Sequence, residues 1–241
     1  MQIPAARPAA RERPVPFKVG ETLEYDVSWS ALLTAGTATL RVQEKRPSYG
    51  STAYYIYAEG RPTPFLWRLY PVYYKVDTLL DVNTLLPQRA SSYSDEQGER
   101  TTKVVRFNRS AGTADYEERR SATSKARLTV PPLTHDALSA LMVARAAPIL
   151  EGGRMTLPIV ERGVLLTVRM TVGRKERVAT GAGVFRAWRI PVAVTDTDGN
   201  PASRGLVLWI SDDARRLPVR LEAELPVGRF VLALRAVKPK P

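Results

Sequence analysis

The sequence predicts a mainly β protein, a large curved antiparallel sheet or barrel of about a dozen strands with one central helix at about 134–147. Three observations predict it. Residues 206–234, LVLWISDDARRLPVRLEAELPVGRFVLAL, hold three strand signals separated by turn formers. Within them Leu217, Val219, Leu221, Ala223 and Leu225 alternate with Pro218, Arg220, Glu222 and Glu224, the period of a strand with one apolar face. Similar runs recur along the chain, whereas helical spacing stands out in one place.

Taken in order, TLEYDVSW puts Leu23, Tyr25, Val27 and Trp29 on one face, and TATLRV (37–42) follows as the second arm of a hairpin. AYYIYAE (53–59) is rich in aromatic and β-branched residues and reads as a strand. The pattern breaks at GRPTPFLWRLYP (60–71) and resumes at 73–81, 86–93, 101–108 and 113–119. From Thr134 the apolar residues Leu138, Leu141, Met142, Ala146 and Ile149 recur at spacings of three and four, predicting a helix capped by Thr134 with Asp136 in its first turn. Strand signals return at 154–160, 164–172, 174–180 and 185–195 before the closing meander, in which the LVLWI run, apolar on both faces, reads as a more deeply buried strand than the alternating one that follows. Neither half alone carries enough apolar surface to stand by itself, so 17–238 reads as a single domain after a flexible leader at 1–16.

The composition excludes more than it assigns. An apolar fraction of 44% supports a core, and no stretch reaches the ~18 apolar residues that a membrane-spanning helix requires. With no cysteine there is no disulfide, thiolate nucleophile or cysteine metal site. The leader, MQIPAARPAARERPVP, has no apolar h-region; it reads as a flexible leader or as the start of a chain trimmed of its export signal. The net charge of +12 comes from 28 Arg and 8 Lys against 24 acids, mostly scattered where they would solvate an outer face. The one concentration is 100–127, where Arg100, Lys103, Arg106, Arg119 and Arg120 are the candidate anion-binding residues.

By this point PFKVGETLEYDVSW (16–29) and AGTATLRV (35–42) resemble the opening of the bacterial "domain of unknown function 3108" family. VDTLLDVNTLLPQRASSY (76–93), VVRFN (104–108), HDALSALMVAR (135–145), VGRKERVATGAGVFRAWRI (172–190) and LWISDDARRLPVRLEAEL (208–225) follow in that family's order, covering about 17–237. The resemblance implies an exported protein of the periplasm or cell envelope, usually made with a signal peptide or lipoprotein signal. It also implies an antiparallel β-rich fold wrapped on a helix, similar in style to periplasmic lipoprotein carriers. No catalytic residue or cofactor comes with it.

Four features are weighed for chemistry. His135-Asp136 would offer a general base and a carboxylate, but one histidine cannot build a multi-histidine metal site, and a helix N-terminus explains both residues. Asp212-Asp213 reads as a turn, and Asp77 and Asp81, four apart on a strand, lie about 13 Å apart and cannot grip one ion. Gly152-Gly153 and Gly181-Ala-Gly183 lack the strand–loop–helix setting of a phosphate loop. The fourth is PFLWRLYPVYY (64–74), where Phe65, Leu66, Trp67, Tyr70, Tyr73 and Tyr74 either plug a core as a loop over the barrel mouth or form a lip for a lipid or acyl chain, with Arg68 meeting headgroups.

The expectation is a non-enzymatic envelope protein without a cofactor, holding a lipid or other amphiphile on a curved sheet, with the helix on the concave side and the 64–74 loop at its rim. Its partners are then lipid, a membrane surface or another envelope protein, and nucleic acid is disfavoured. The alternatives are a structural or assembly protein acting through surface contacts, and a binder of acidic polysaccharide or nucleic acid through the basic 100–127 face. A hydrolase built on carboxylates ranks last.

Overall fold

A computed structural model describes residues 11–30, 33–225 and 228–238. In chain order the strands are β1 (Thr22–Trp29), β2 (Leu33–Ser48), β3 (Ser51–Pro62), β4 (Val72–Asp81), β5 (Pro87–Glu96), β6 (Glu99–Asn108), β7 (Thr113–Arg119), β8 (Thr123–Thr129), β9 (Arg154–Glu161), β10 (Val164–Thr171), β11 (Lys175–Thr180), β12 (Gly183–Thr195), β13 (Arg204–Ser211), β14 (Pro218–Leu225) and β15 (Gly228–Lys238). Helix α1 (Pro64–Leu69) joins β3 to β4, and α2 (Ala137–Ala146) stands between β8 and β9.

All strands belong to one antiparallel sheet in the order β8-β7-β6-β5-β4-β3-β2-β1-β15-β14-β13-β12-β10-β9, with β11 paired to β12. Two meanders therefore meet where the first strand pairs with the last, from Thr22 opposite Lys238 to Trp29 opposite Phe230. The registers gather the β1–β2, β3–β4, β5–β6, β7–β8, β9–β10 and β14–β15 connections at one end, the α1 end. Leu208, Trp209 and Ile210 of β13 are all buried, as expected of the doubly apolar run.

The sheet rolls up without closing by backbone pairing. Val160 of β9 packs with Ala90, Val105, Phe107, Ala114 and Tyr116 of the opposite meander, so side chains bring the two ends together. At the β9–β10 turn Gly163 has φ +75°, and a β-carbon there would stand 2.8 Å from the Tyr116 ring; only glycine fits that approach. The crossover before α2 completes the seam. The His135 N–H donates to the Pro158 carbonyl and the Val160 N–H to the His135 carbonyl, both at 2.8 Å. Arg109 pins the same strip by donating to the Pro87 and Thr134 carbonyls at 2.7 and 2.9 Å.

Helix α2 fills the concave face. Leu138 and Met142 join one core cluster, with Leu23, Tyr25, Ile56 and Leu80, and Ala140 and Ala144 join another, with Ile159, Val168, Trp188 and Ile210. The cap is Asp136 and not Thr134: its carboxylate accepts from the Leu138 and Ser139 N–H groups at 2.9 and 3.0 Å, and Ser139 Oγ accepts from the Asp136 N–H. Thr134 instead donates to the Pro131 carbonyl at 2.7 Å, because its backbone belongs to the turn leading into the seam. At the other end the buried Arg145 grips Glu21 at 2.7 and 3.2 Å and donates to the Arg215 and Arg216 carbonyls.

Three readings need correction or refinement. Strand β8 has no sequence signal, since none of its residues is buried and no apolar alternation forms. The break at 60–71 contains a second helix. Residues 11–16 lie along the barrel, with the Arg13 N–H on the Val82 carbonyl and Glu12 bonded to Lys45 and Tyr54; residues 1–10 of the expected leader lie outside the described residues.

Candidate functional site

Helix α1 forms for local reasons. Thr63 caps it, with Oγ accepting from the Leu66 N–H, and Pro64 occupies the first turn, where its fixed φ is an asset. The Trp67 N–H donates to the Thr63 carbonyl at 2.8 Å and the Tyr70 N–H to that of Leu66 at 2.7 Å, after which Pro71 follows. What is unusual is the burial: no residue of the helix is buried. Phe65 and Leu69, four apart and so on one face, are 70% and 67% exposed, and Trp67 and Tyr70 are also exposed. Leu66 is half-buried. The expectation of a loop plugging the barrel is thus corrected, because these side chains project from the rim.

Tyr73 and Tyr74 lie on β4 and not in the loop, so they point to opposite faces. Tyr74 is exposed at the α1 end, as are Trp29 at the end of β1 and Val164 at the start of β10. Tyr73 is half-buried; its hydroxyl donates to Glu59 at 2.6 Å and the Arg61 guanidinium lies 5.0 Å from its ring centre. Partial burial and the bond to Glu59 raise the pKa of that hydroxyl, keeping it a donor. Tyr93 of β5 stands beside it, ring centres 6.1 Å apart. Arg61, Trp67, Tyr73, Tyr93 and Asp95 border an open basin of about 520 Å³ on the outer side of the rim.

The interior is different. Beside the α2 N-terminus, a cleft of about 90 Å³ is bordered by Val76, Ser92, Lys103, Asp136, Glu161 and Arg162. Ligand pockets run to roughly 300–1,000 Å³, so this space holds a few waters and no acyl chain.

The five basic candidates are each paired. Arg100 meets Asp95 at 3.1 Å, Lys103 meets Glu118 at 4.0 Å, Arg106 and Arg119 meet Glu117 at 3.8 and 2.5 Å, and Arg120 bonds Glu99. Lys103 and Arg106, three apart on one strand, project to opposite faces, so the five do not converge.

The remaining candidates have structural partners. His135 is buried, with Nδ1 3.1 Å from Ser139 Oγ; burial, aided by Arg109, lowers its pKa to about 4 and holds it neutral. Asp136 also accepts from Thr78 at 2.9 Å, and burial raises its carboxyl pKa above the ordinary value. Asp77 bonds Arg89 at 2.6 Å, and Asp81 caps the β4–β5 turn by accepting from the Asn83 and Thr84 N–H groups. Asp212 and Asp213 diverge, the first to Lys175 and Trp188 and the second to Arg215. Among the described residues no group of three or more His, Cys, Asp or Glu could hold a metal ion. Nor is any helix long and apolar enough to cross a membrane, which leaves strands aside.

The profile of the family described as "protein of unknown function (DUF3108)" matches residues 24–235. The chain belongs to this family. No curated protein matches it in sequence. Among solved structures it is similar to a β-barrel-like protein of another domain of unknown function, DUF1849, from Brucella abortus: 10% identity over 92% of this chain and 98% of that one, TM-score 0.54. That likeness shows a shared β-barrel-like fold. Two weaker likenesses are to a Bacteroides fragilis protein described as exported with a YmcC-like fold (11% identity, 93% and 98% covered, TM-score 0.38) and a Parabacteroides distasonis protein described as a lipoprotein (10%, 95% and 100% covered, 0.35). Sequence reasoning named the α1 residues of this DUF3108 protein but missed Arg61, Tyr93 and Asp95. The missing signal is the β4–β5 register, which sets Tyr73 opposite Asp95.

Proposed function

We propose that this protein is a non-enzymatic, exported protein of the periplasm or cell envelope that engages lipid or another amphiphile through the α1 rim. One observation carries the reading: Phe65 and Leu69 stand 70% and 67% exposed on one short helix, next to exposed Trp67 and Tyr70. Each such side chain forgoes about 1.5–3 kcal/mol of burial, and an apolar patch of this kind on a soluble surface marks a partner or membrane site. Trp and Tyr suit the boundary between headgroups and acyl chains. Arg68, on the same helix and without an ion-pair partner among the described residues, supplies a cation for phosphate headgroups.

The filled interior moves the amphiphile from the concave face, where α2 lies, to the rim. Export is what membership of the family implies. The non-enzymatic reading is supported by the lone histidine, which is buried just before the cap of α2 with its ring against Ser139. The same filled interior favours a second reading, an assembly protein whose rim meets another envelope protein.

Cosedimentation with vesicles of phosphatidylethanolamine and phosphatidylglycerol separates the two. Binding by the native chain, lost in the Phe65→Ser/Leu69→Ser double variant, supports the lipid reading. A chain that stays in the supernatant with every vesicle preparation and yields no lipid on organic extraction and mass spectrometry overturns it. Fractionation of cells expressing the native gene tests the location, and recovery in the cytoplasm would refute export.

A further inference from the structure

The basin on the outer side of α1 has a composition of its own. Trp67, Tyr73 and Tyr93 supply ring surfaces, while Arg61 and Asp95 supply polar groups at its border. Its charge is balanced: Arg61 sits against Glu59 at 3.9 Å, and Arg100 against Asp95 at 3.1 Å. That balance discriminates among headgroups. A phosphate would need surplus cations, and here each is matched by a carboxylate. A quaternary ammonium would take the face of an aromatic ring beside a carboxylate, but the Arg61 guanidinium already lies over Tyr73 and Arg100 already engages Asp95.

A neutral polyol has the opposite needs. Each hydroxyl both donates and accepts, so it uses a guanidinium and a carboxylate side by side without disturbing their balance. The C–H face of a sugar ring is apolar and lies flat on an aromatic side chain, which presents a broad apolar body with a polar tip. The volume, about 520 Å³ and open to solvent, accommodates a hexose ring. Trp67 borders this basin, whereas Phe65 and Leu69 lie on the other side of the same helix turn. One amphiphile can therefore place its apolar part on one side of α1 and its head on the other.

We propose that the Arg61–Trp67–Tyr73–Tyr93–Asp95 basin is a headgroup site for a neutral sugar, and that the amphiphile engaged by the rim is a glycolipid. This rests on the rim reading above and names its ligand class. The test uses the native chain and three vesicle sets: phosphatidylethanolamine with phosphatidylglycerol, the same with part of the phosphatidylethanolamine replaced by monoglucosyl diacylglycerol, and the same with it replaced by phosphatidylcholine. The sugar-bearing set is expected to bind tighter than the first by on the order of fivefold, the worth of one net hydrogen bond. Asp95→Asn, whose amide oxygen can still accept from the Gly98 N–H that Asp95 holds at 3.1 Å, and Tyr93→Ala should each bring that ratio towards one with an unchanged thermal midpoint. Equal binding to all three sets, or a preference for phosphatidylcholine, overturns the sugar site and leaves the rim reading standing. Binding to none overturns both.

Discussion

Helices α1 and α2 are both short and largely apolar, yet one stands in water and the other lies in the centre of the barrel. α2 spans ten residues, six of them buried, and even its single charged side chain is enclosed. α1 spans six residues and buries none. The difference lies in what surrounds each helix. α2 belongs to the crossover between the two edges of the sheet, so rolling the sheet closes around it; α1 belongs to a hairpin connection and can only stand on the rim. Apolar composition alone does not decide burial. Topology does, and an apolar helix that topology leaves outside is available for binding.

The comparison breaks first at Arg145. Replacing it with alanine strands Glu21 and frees the Arg215 and Arg216 carbonyls. The expected cost is about 3–5 kcal/mol, the penalty for breaking a buried pair, read as a lower urea midpoint; a midpoint unchanged from the native chain would show that α2 is not anchored as described. Next comes acid. The folded pKa of His135, about 4, lies below the ordinary value of 6.5, so on acidification the unfolded chain takes up the proton first. The stability that neutral His135 contributes is complete above pH 6.5 and lost as pH falls towards 4, about 3 kcal/mol in all. Asp136, shifted upward by burial, acts with the opposite sign and offsets part of this at the acid end. His135→Asn should flatten the urea midpoint across that window, and an undiminished slope would assign it to other groups. The smallest effect on stability belongs to the rim: Phe65→Ser/Leu69→Ser should change it by less than about 0.5 kcal/mol, as exposed positions do. A large loss would mean that α1 packs against something in solution.

Two strands with one dry face were legible in the sequence down to their ends, whereas β2, read as 37–42, spans Leu33–Ser48. β1 and β7 run from Thr22 to Trp29 and from Thr113 to Arg119, the spans that alternation predicts. TSKARLT in β8 was not legible, because an edge strand with no buried side chain carries no period. PFLWRL was conspicuous by composition but not by pattern, since one and a half turns are too short to show a helical repeat. The cap of α2 was misread by two residues, Thr134 for Asp136, because both residue types cap and only the backbone shows which one stands at the helix start. The basin was out of reach for a different reason. Arg61, Trp67, Tyr73, Tyr93 and Asp95 come from three strands and a helix, and only strand register brings them together.

The pairing of β1 with β15 governs the order in which this molecule can be completed. A chain emerges from the ribosome, or from a translocation pore, with its N-terminus first. β1 is made at residues 22–29 and its partner at 228–238, so one edge of β1 stays unpaired until residues 228–238 have been delivered. Until then each meander is a sheet with an open side, the form most exposed to pairing with a neighbour. Loss of the last strand would leave one edge of β1 and one edge of β14 unpaired, each strand keeping only its pairing with β2 or β13.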